Sequence, residues 1–361
     1  MMKSTFKIAF LLFLIPLVSF ANNEKKLKQE KSKTIKKQYS VDRNATVNID
    51  NKYGNINITT WNKNSVEITV VITVKGNSLS SVEKKLSRIN VDFNASSNLV
   101  SAKTKFDNSS SSWSFWGKSN NTSYKVNYTV KMPVSNNVKL NNDYGNILIN
   151  EINGTTNINC DYGKLIIGDL NNSNNNINID YTSSSTINFM KSGSINADYS
   201  KLTVDKTDKV KINSDYSNIN IGTVNTVTYN ADYGSITVDD VNDIKGNSDY
   251  ANIRLGTVSK NLNIKADYGS IKIKELAIGF NKAEVTSEYA GITIGTKANN
   301  NFNFKMNLQY SKFRYNNDRV EMFKSIEKSS KKYYEGVYGK GKSNSTLIIK
   351  SQYGGVNLKE L

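Results

Sequence analysis

Leu262-Asn263-Ile264-Lys265-Ala266-Asp267-Tyr268-Gly269-Ser270-Ile271-Lys272-Ile273-Lys274-Glu275-Leu276 is the stretch that decides the fold. Leu262, Ile264, Ala266 and Tyr268 share one parity, and Asn263, Lys265 and Asp267 share the other, as in a strand with one buried face. Gly269-Ser270 shifts the phase, so that Ile271 and Ile273 point inward from a second short strand. Leu276 supplies a third inward contact after a further bend. Read this way, the stretch is one turn of a coil with two or three short strands.

The same phrase recurs along the chain: a small residue, Asp, Tyr, then Gly, Ser or Ala. Tyr144, Tyr162, Tyr181, Tyr199, Tyr216, Tyr233, Tyr250 and Tyr268 head successive copies, spaced by 18, 19, 18, 17, 17, 17 and 18 residues. Looser copies follow at Tyr289, Tyr310 and Tyr353, and one stands apart at Tyr53. A fixed period near 20 residues signals a solenoid, because one copy cannot bury its apolar face until a neighbour stacks on it. The expected fold is therefore all-β: a single-stranded parallel β-helix with rungs of about 17–18 residues. Equivalent residues would then lie about 4.8 Å apart and form ladders. The residue after Tyr is Gly in some copies, but Thr182, Ser200, Ser217, Ala251 or Ala290 in others. The corner thus asks for a small residue more than for a left-handed one.

The ends differ from the middle. Lys3 and Lys7 precede an apolar run from Ile8 to Phe20, closed by Ser19-Phe20-Ala21, which reads as a signal peptide over 1–21. The following 22–40, with seven Lys and two Glu between Glu24 and Lys37, reads as a basic flexible leader. Residues 41–134 alternate like strands and contain one helical pattern, Leu79, Val82, Leu86 and Ile89, near 79–90. This region is expected to cap the open end of the solenoid, whose repeats occupy 135–312. An irregular insertion and C-terminal rungs or cap fill 313–361. No later segment is long and apolar enough to cross a bilayer, so the mature chain should be exported, to the periplasm, the outer surface or the medium.

The chain carries 48 Lys and Arg against 31 Asp and Glu, a formal charge of +17, which favours acidic partners such as anionic glycans or envelope surfaces. Export argues against nucleic acid. The single Cys160 takes the place of small residues in other copies and excludes an internal disulfide. With no His, the Ser–His and Cys–His nucleophile pairs and His-based metal sites are excluded. The Asp column invites a cation reading, but corner-forming Asp bonded to local backbone accounts for it, and no cofactor is expected. A carbohydrate-active enzyme would need extra acids that break the repeat, and Asp239, Asp240 and Asp243 form the one such group. Trp113, Phe115 and Trp116, in a loop rich in Ser and Asn, are the candidate contact site, for sugar or for a protein partner.

Tyr128-Thr129-Val130-Lys131-Met132-Pro133, then Val138-Lys139-Leu140, then Asp143-Tyr144-Gly145-Asn146-Ile147 resembles the bacterial "putative adhesin" β-helix family. Gly54-Asn55-Ile56-Asn57-Ile58-Thr59-Thr60-Trp61 looks like its opening, and Tyr338-Gly339-Lys340-Gly341 through Tyr353-Gly354-Gly355-Val356 like its close. The resemblance covers about 41–361, apart from the aromatic loop and 313–335. It implies a right-handed coil and an envelope or surface location, and it carries no catalytic residues. The reading that follows is a non-enzymatic exported adhesin or envelope contact protein. The alternatives are a carbohydrate-active enzyme using Asp carboxylates, or a structural or regulatory envelope protein that binds a protein partner.

Overall fold

The structure, a computed structural model, describes residues 29–107 and 122–361. The signal peptide, the first part of the leader and the Trp113, Phe115 and Trp116 loop lie outside the described residues.

The described chain is nearly all β, with one α-helix and a solenoid-like body whose successive strands pair in parallel. The register follows the sequence period. Thr156–Asp161 pairs residue for residue with Asn137–Asp143 on one side and Asn175–Asp180 on the other. The second strand of each coil behaves likewise, as Leu165–Leu170 does between Ile147–Ile152 and Ser185–Asp198. Lys201–Asp267 is extended nearly throughout and turns three corners, at Tyr216, Tyr233 and Tyr250. The interior is filled by matching columns of aliphatic residues, such as Ile158, Ile177, Ile195 and Ile212, each fully buried. One residue departs from that column. Tyr229 is buried in the next coil, and a Cβ on Gly246 one coil further would sit 2.1 Å from its ring. The glycine makes room for the ring.

The N-terminal end comprises β1 (Gln29–Ser40), β2 (Thr46–Lys52), β3 (Ile56–Trp61), β4 (Ser65–Gly76), α1 (Leu79–Ser87), β5 (Ile89–Ala95), β6 (Leu99–Phe106) and β7 (Thr122–Pro133). β2 and β3 form the Tyr53 coil, which stacks directly on the Tyr144 coil. β6 and β7 lie outside it, parallel to β2 and β3. The chain therefore builds its outermost coil after the one beneath it. β7, β4 and β1 continue one wall as antiparallel strands, and β5 continues the other. The helix packs on β4, β1 and β5 and buries Val82, which closes the interior. Ser78 caps it by accepting the Ser81 N–H at 3.3 Å.

The basic leader is corrected here. Gln29–Ser40 is a twelve-residue strand in full antiparallel register with β4. Its own apolar content is small, Ile35 and Tyr39, so pairing with β4 holds it rather than burial. Lys31 pairs with Glu83 of the helix and Glu30 with Lys75 at 2.7 Å. A Lys-rich edge strand also discourages further strand addition.

The C-terminal end mirrors this interleaving. Lys282–Glu288 pairs with Thr346–Gln352, and that strand pairs in turn with Phe302–Gln309. The last coil of the sequence thus lies between two earlier ones. Residues 313–335, read as an irregular insertion, contain the strand Val320–Lys328, which pairs antiparallel with Lys331–Tyr338; the latter lies antiparallel on Phe302–Gln309.

Candidate functional site

Twelve tyrosines stand in one column along the solenoid, in the order 53, 144, 162, 181, 199, 216, 233, 250, 268, 289, 353 and 310. Neighbouring ring centroids are 4.6–5.1 Å apart and the planes within 1–10° of parallel. Eleven steps of about 4.8 Å make a strip roughly 50 Å long. The column is a surface feature: apart from Tyr53, each ring is 40–58% exposed. Its faces are covered by the next ring, so edges and hydroxyls meet solvent.

Parity alone would place these rings inside with Leu262, Ile264 and Ala266. They lie outside because every one of the twelve has a left-handed backbone, with φ from 48 to 63°. For a residue with a Cβ this conformation costs about 1–2 kcal/mol, and stacked neighbours at about 0.5–1.5 kcal/mol each offset it. The following position then has two solutions. At Gly145 a Cβ would fall 1.8 Å from the Gly54 carbonyl oxygen of the adjacent coil. At Thr182, Ser200 and Ser217 the side chain turns inward instead, and the Ser200 hydroxyl accepts the Thr182 N–H at 3.0 Å. The demand for a small residue therefore comes from close approach between coils.

Two polar columns run beside the tyrosines. Asp143, Asp161, Asp180, Asp198, Asp215, Asp232, Asp249 and Asp267 sit in register, one coil apart. Burial, then the neighbouring carboxylates, raises the pKa of Asp161, Asp198 and Asp232. None of Lys164, Lys201 and Lys265, the basic residues nearest in sequence, forms an ion pair with them. Two residues earlier, Asn141, Asn159, Asn178, Asn196, Asn213, Asn230 and Asn247 form an amide ladder. Each Nδ2 donates to the previous Oδ1 at 2.6–3.3 Å. A shallow groove of about 280 Å³ lies between the two columns at Asn196, Asp198, Asn213, Asp215, Asn230 and Asp232.

At the C-terminal end the same face enters a recess of about 590 Å³ beneath the hairpin Val320–Tyr338. Its floor is the continuation of both columns: Asn307, Lys350, Gln309 and Gln352, with Asp267 and Glu288 also on the lining. Its wall brings Ile326, Lys328, Lys331, Lys332 and Tyr333. Lys332 pairs with Glu327 at 3.1 Å and Lys350 approaches Glu284 at 3.9 Å. Lys328 and Lys331, paired across the hairpin end, have no ion pair among the described residues. Sequence reading missed this recess. Its signal was the run Lys324 to Lys332, in which polar residues occupy both strand faces and Ser329, with φ 50°, makes the turn.

Among the carboxylates outside the columns, Asp239 and Asp240 are exposed, and Asp243 accepts from Asn261 Nδ2 at 2.7 Å. Asp243 shares a recess with Glu284, but they lie two coils apart, about 10 Å along the axis. Lys282, hydrogen-bonded at 2.9 Å, is the main cause that lowers the Glu284 pKa. Cys160 is buried, which pushes its thiol up to about 12, and its Sγ donates to the Gly145 carbonyl at 3.6 Å. The segment that carries Trp113, Phe115 and Trp116 leaves from Asp107 and returns at Thr122. Phe106 and Tyr124 nearby pack edge-on against Tyr53, with centroids 6.2 and 5.2 Å away.

No helix among the described residues is long and apolar enough to cross a membrane. No family model matches the chain, and no curated protein matches it. Several solved structures are similar to it. A putative cell adhesion protein from Clostridium sporogenes ATCC 15579 is 11% identical over 92% of this chain and 100% of that one, with a TM-score of 0.21. A putative adhesin from Parabacteroides merdae ATCC 43184 is 13% identical over 73% and 92%, with a TM-score of 0.30. A putative adhesin from Bacteroides fragilis NCTC 9343 is 9% identical over 91% and 97%, with a TM-score of 0.25. At TM-scores this low, the likeness carries nothing from those proteins to the residues of this chain.

Proposed function

We propose that the protein is an exported, non-enzymatic contact protein of the adhesin kind. In this reading the coil is a right-handed parallel β-helix, and the recess beneath its C-terminal hairpin holds the acidic groups of an anionic glycan on an envelope or another surface. The observation that carries the reading is the set of four lysines, Lys328, Lys331, Lys332 and Lys350, around one recess of about 590 Å³. That volume suits a ligand of a few sugar rings. Amides of Asn307, Gln309 and Gln352 offer hydroxyl partners, while Ile326 and Tyr333 offer apolar surface to a ring. Two of the ammonium groups, both exposed, lack an internal counter-charge among the described residues, so a carboxylate or sulfate would find charged donors open to it. The interleaved coils on which the floor is built give the site a stiff support.

The surroundings of the acids outside the column support the non-enzymatic part: Asp239 and Asp240 are exposed, Asp243 is hydrogen-bonded to Asn261, and Glu284 is paired with Lys282, which lowers its pKa. The signal-peptide pattern at the N-terminus supports export.

The test is binding of the purified mature protein to immobilised acidic and neutral polysaccharides. Binding should favour the acidic ones, fall with salt, and weaken at least tenfold in Lys328→Glu/Lys331→Glu, with no release of reducing ends. Salt-independent binding, or an unchanged affinity in that variant, refutes the reading.

A further inference from the structure

The Asp column carries a charge opposite to that of the whole chain, and one coil shows how it is met. In the Tyr53 coil, the position held by Asp elsewhere is Lys52, paired in register with Asp143. Its Nζ lies 3.3 Å from Asp143 Oδ2, and 5.6 and 5.9 Å from the ring centroids of Tyr53 and Tyr144. An ammonium group therefore fits a seat made of one carboxylate and two successive phenol rings. The hydrogen bond to Asp143 is the main cause that raises the Lys52 pKa.

The same seat recurs along the strip without an internal occupant. Asp161, Asp180, Asp198, Asp215, Asp232, Asp249 and Asp267 each stand beside a Tyr–Tyr step, and among the described residues none of them forms an ion pair. The adjoining Asn ladder uses one N–H of each amide internally, which leaves the second for a ligand.

We propose that the Asp–Tyr strip from Asp161 to Asp267 binds a linear polyamine, whose ammonium groups repeat the Lys52 seat on successive coils. A basic peptide fits less well. Side chains on one face of an extended peptide recur every ~6.8 Å, while the seats recur every ~4.8 Å. The alkyl spacers of a polyamine adjust to that step. At a net charge of +17 the chain as a whole repels such a ligand, so its capture is a local property of this face. The raised carboxyl pKa values fit the same picture: a bound ammonium would lower them and release protons in mildly acidic solution. The strip meets the recess of the glycan reading only at Asp267, and its central seats at Asp198, Asp215 and Asp232 lie outside that recess.

The experiment is calorimetric titration of the full mature protein with spermine at low salt, at pH 7 and pH 5. Saturable binding at pH 7, weaker at pH 5 with proton release, is expected. Asp198→Asn/Asp215→Asn/Asp232→Asn should bind at least tenfold more weakly while keeping the wild-type circular dichroism. Lys328→Glu/Lys331→Glu should bind spermine no more weakly than wild type, which separates this site from the recess. Absence of binding, equal binding by the Asp variant, equal competition by calcium chloride at matched ionic strength, or tighter binding of an oligolysine peptide would each overturn the proposal.

Discussion

Replacing Tyr216 by Gly and, separately, by Ala probes the corner directly. Tyr216 has φ 48° and stacks between Tyr199 at 4.9 Å and Tyr233 at 4.6 Å, with planes within 1 and 4°. Either substitution removes two stacked contacts, about 1–3 kcal/mol in all. Ala keeps a Cβ in the left-handed region and retains the penalty, whereas Gly sheds about 1 kcal/mol of it. Tyr216→Gly should therefore be the more stable variant by about 1 kcal/mol, although Gly is worse than Ala by about 0.5–1 kcal/mol at an ordinary strand position. Thr203, a half-buried position without positive φ earlier in the same run, supplies that ordinary comparison. Urea midpoints read by far-ultraviolet circular dichroism, compared at constant slope, measure both pairs. An Ala variant equal to or more stable than the Gly variant at Tyr216 would refute the left-handed corner.

Asp198→Asn tests the carboxylate column by its pH dependence. Burial, then Asp180 and Asp215, raises the folded-state pKa of Asp198, so its favourable contribution is complete below the unfolded value near 3.9 and is lost as pH rises through the raised one. Each neighbour repels by about 0.9 kcal/mol at the dielectric of water. With salt screening of this half-exposed group, the Asn variant should gain about 1 kcal/mol at pH 7 and nothing by pH 3.5; urea midpoints at the two pH values decide it, and an equal gain at both would contradict the column. Tyr229→Phe should stabilise by about 1 kcal/mol, because the buried Tyr229 hydroxyl has no hydrogen-bond partner. A loss of stability on that substitution would mean that the hydroxyl is satisfied.

The repeat was legible because each coil writes its own inward residues, Leu262, Ile264, Ala266, Ile271, Ile273 and Leu276 being one instance, and like residues must meet when coils stack. Coil order was legible only where the chain proceeds evenly. Tyr289, Tyr310 and Tyr353 advertise three corners, yet nothing local to them says that the Tyr353 coil lies between the other two. That order depends on the hairpin Val320–Tyr338 closing the end, a contact between distant segments. The conformation of the corner was read on the wrong residue. Gly145 and Gly163 draw attention to the position after Tyr, while the left-handed residue is Tyr itself. β1 escaped notice because a strand held by pairing needs little apolar patterning of its own. The recess escaped notice for a related reason, since Lys328, Lys331 and Lys350 are neighbours only after the interleaving.

In-register stacking with interleaved ends is most directly tested by cysteine pairing in a Cys160→Ser background. The Ser287 and Ser351 hydroxyls are 3.2 Å apart across adjacent coils, at paired positions of parallel strands. Ser287→Cys/Ser351→Cys should close a disulfide under mild oxidation with the fold retained. Ser287→Cys/Leu308→Cys, two coils apart and roughly 10 Å from each other, should stay reduced. A disulfide in the second pair and none in the first would show that the coils follow chain order and that the columns do not run as described.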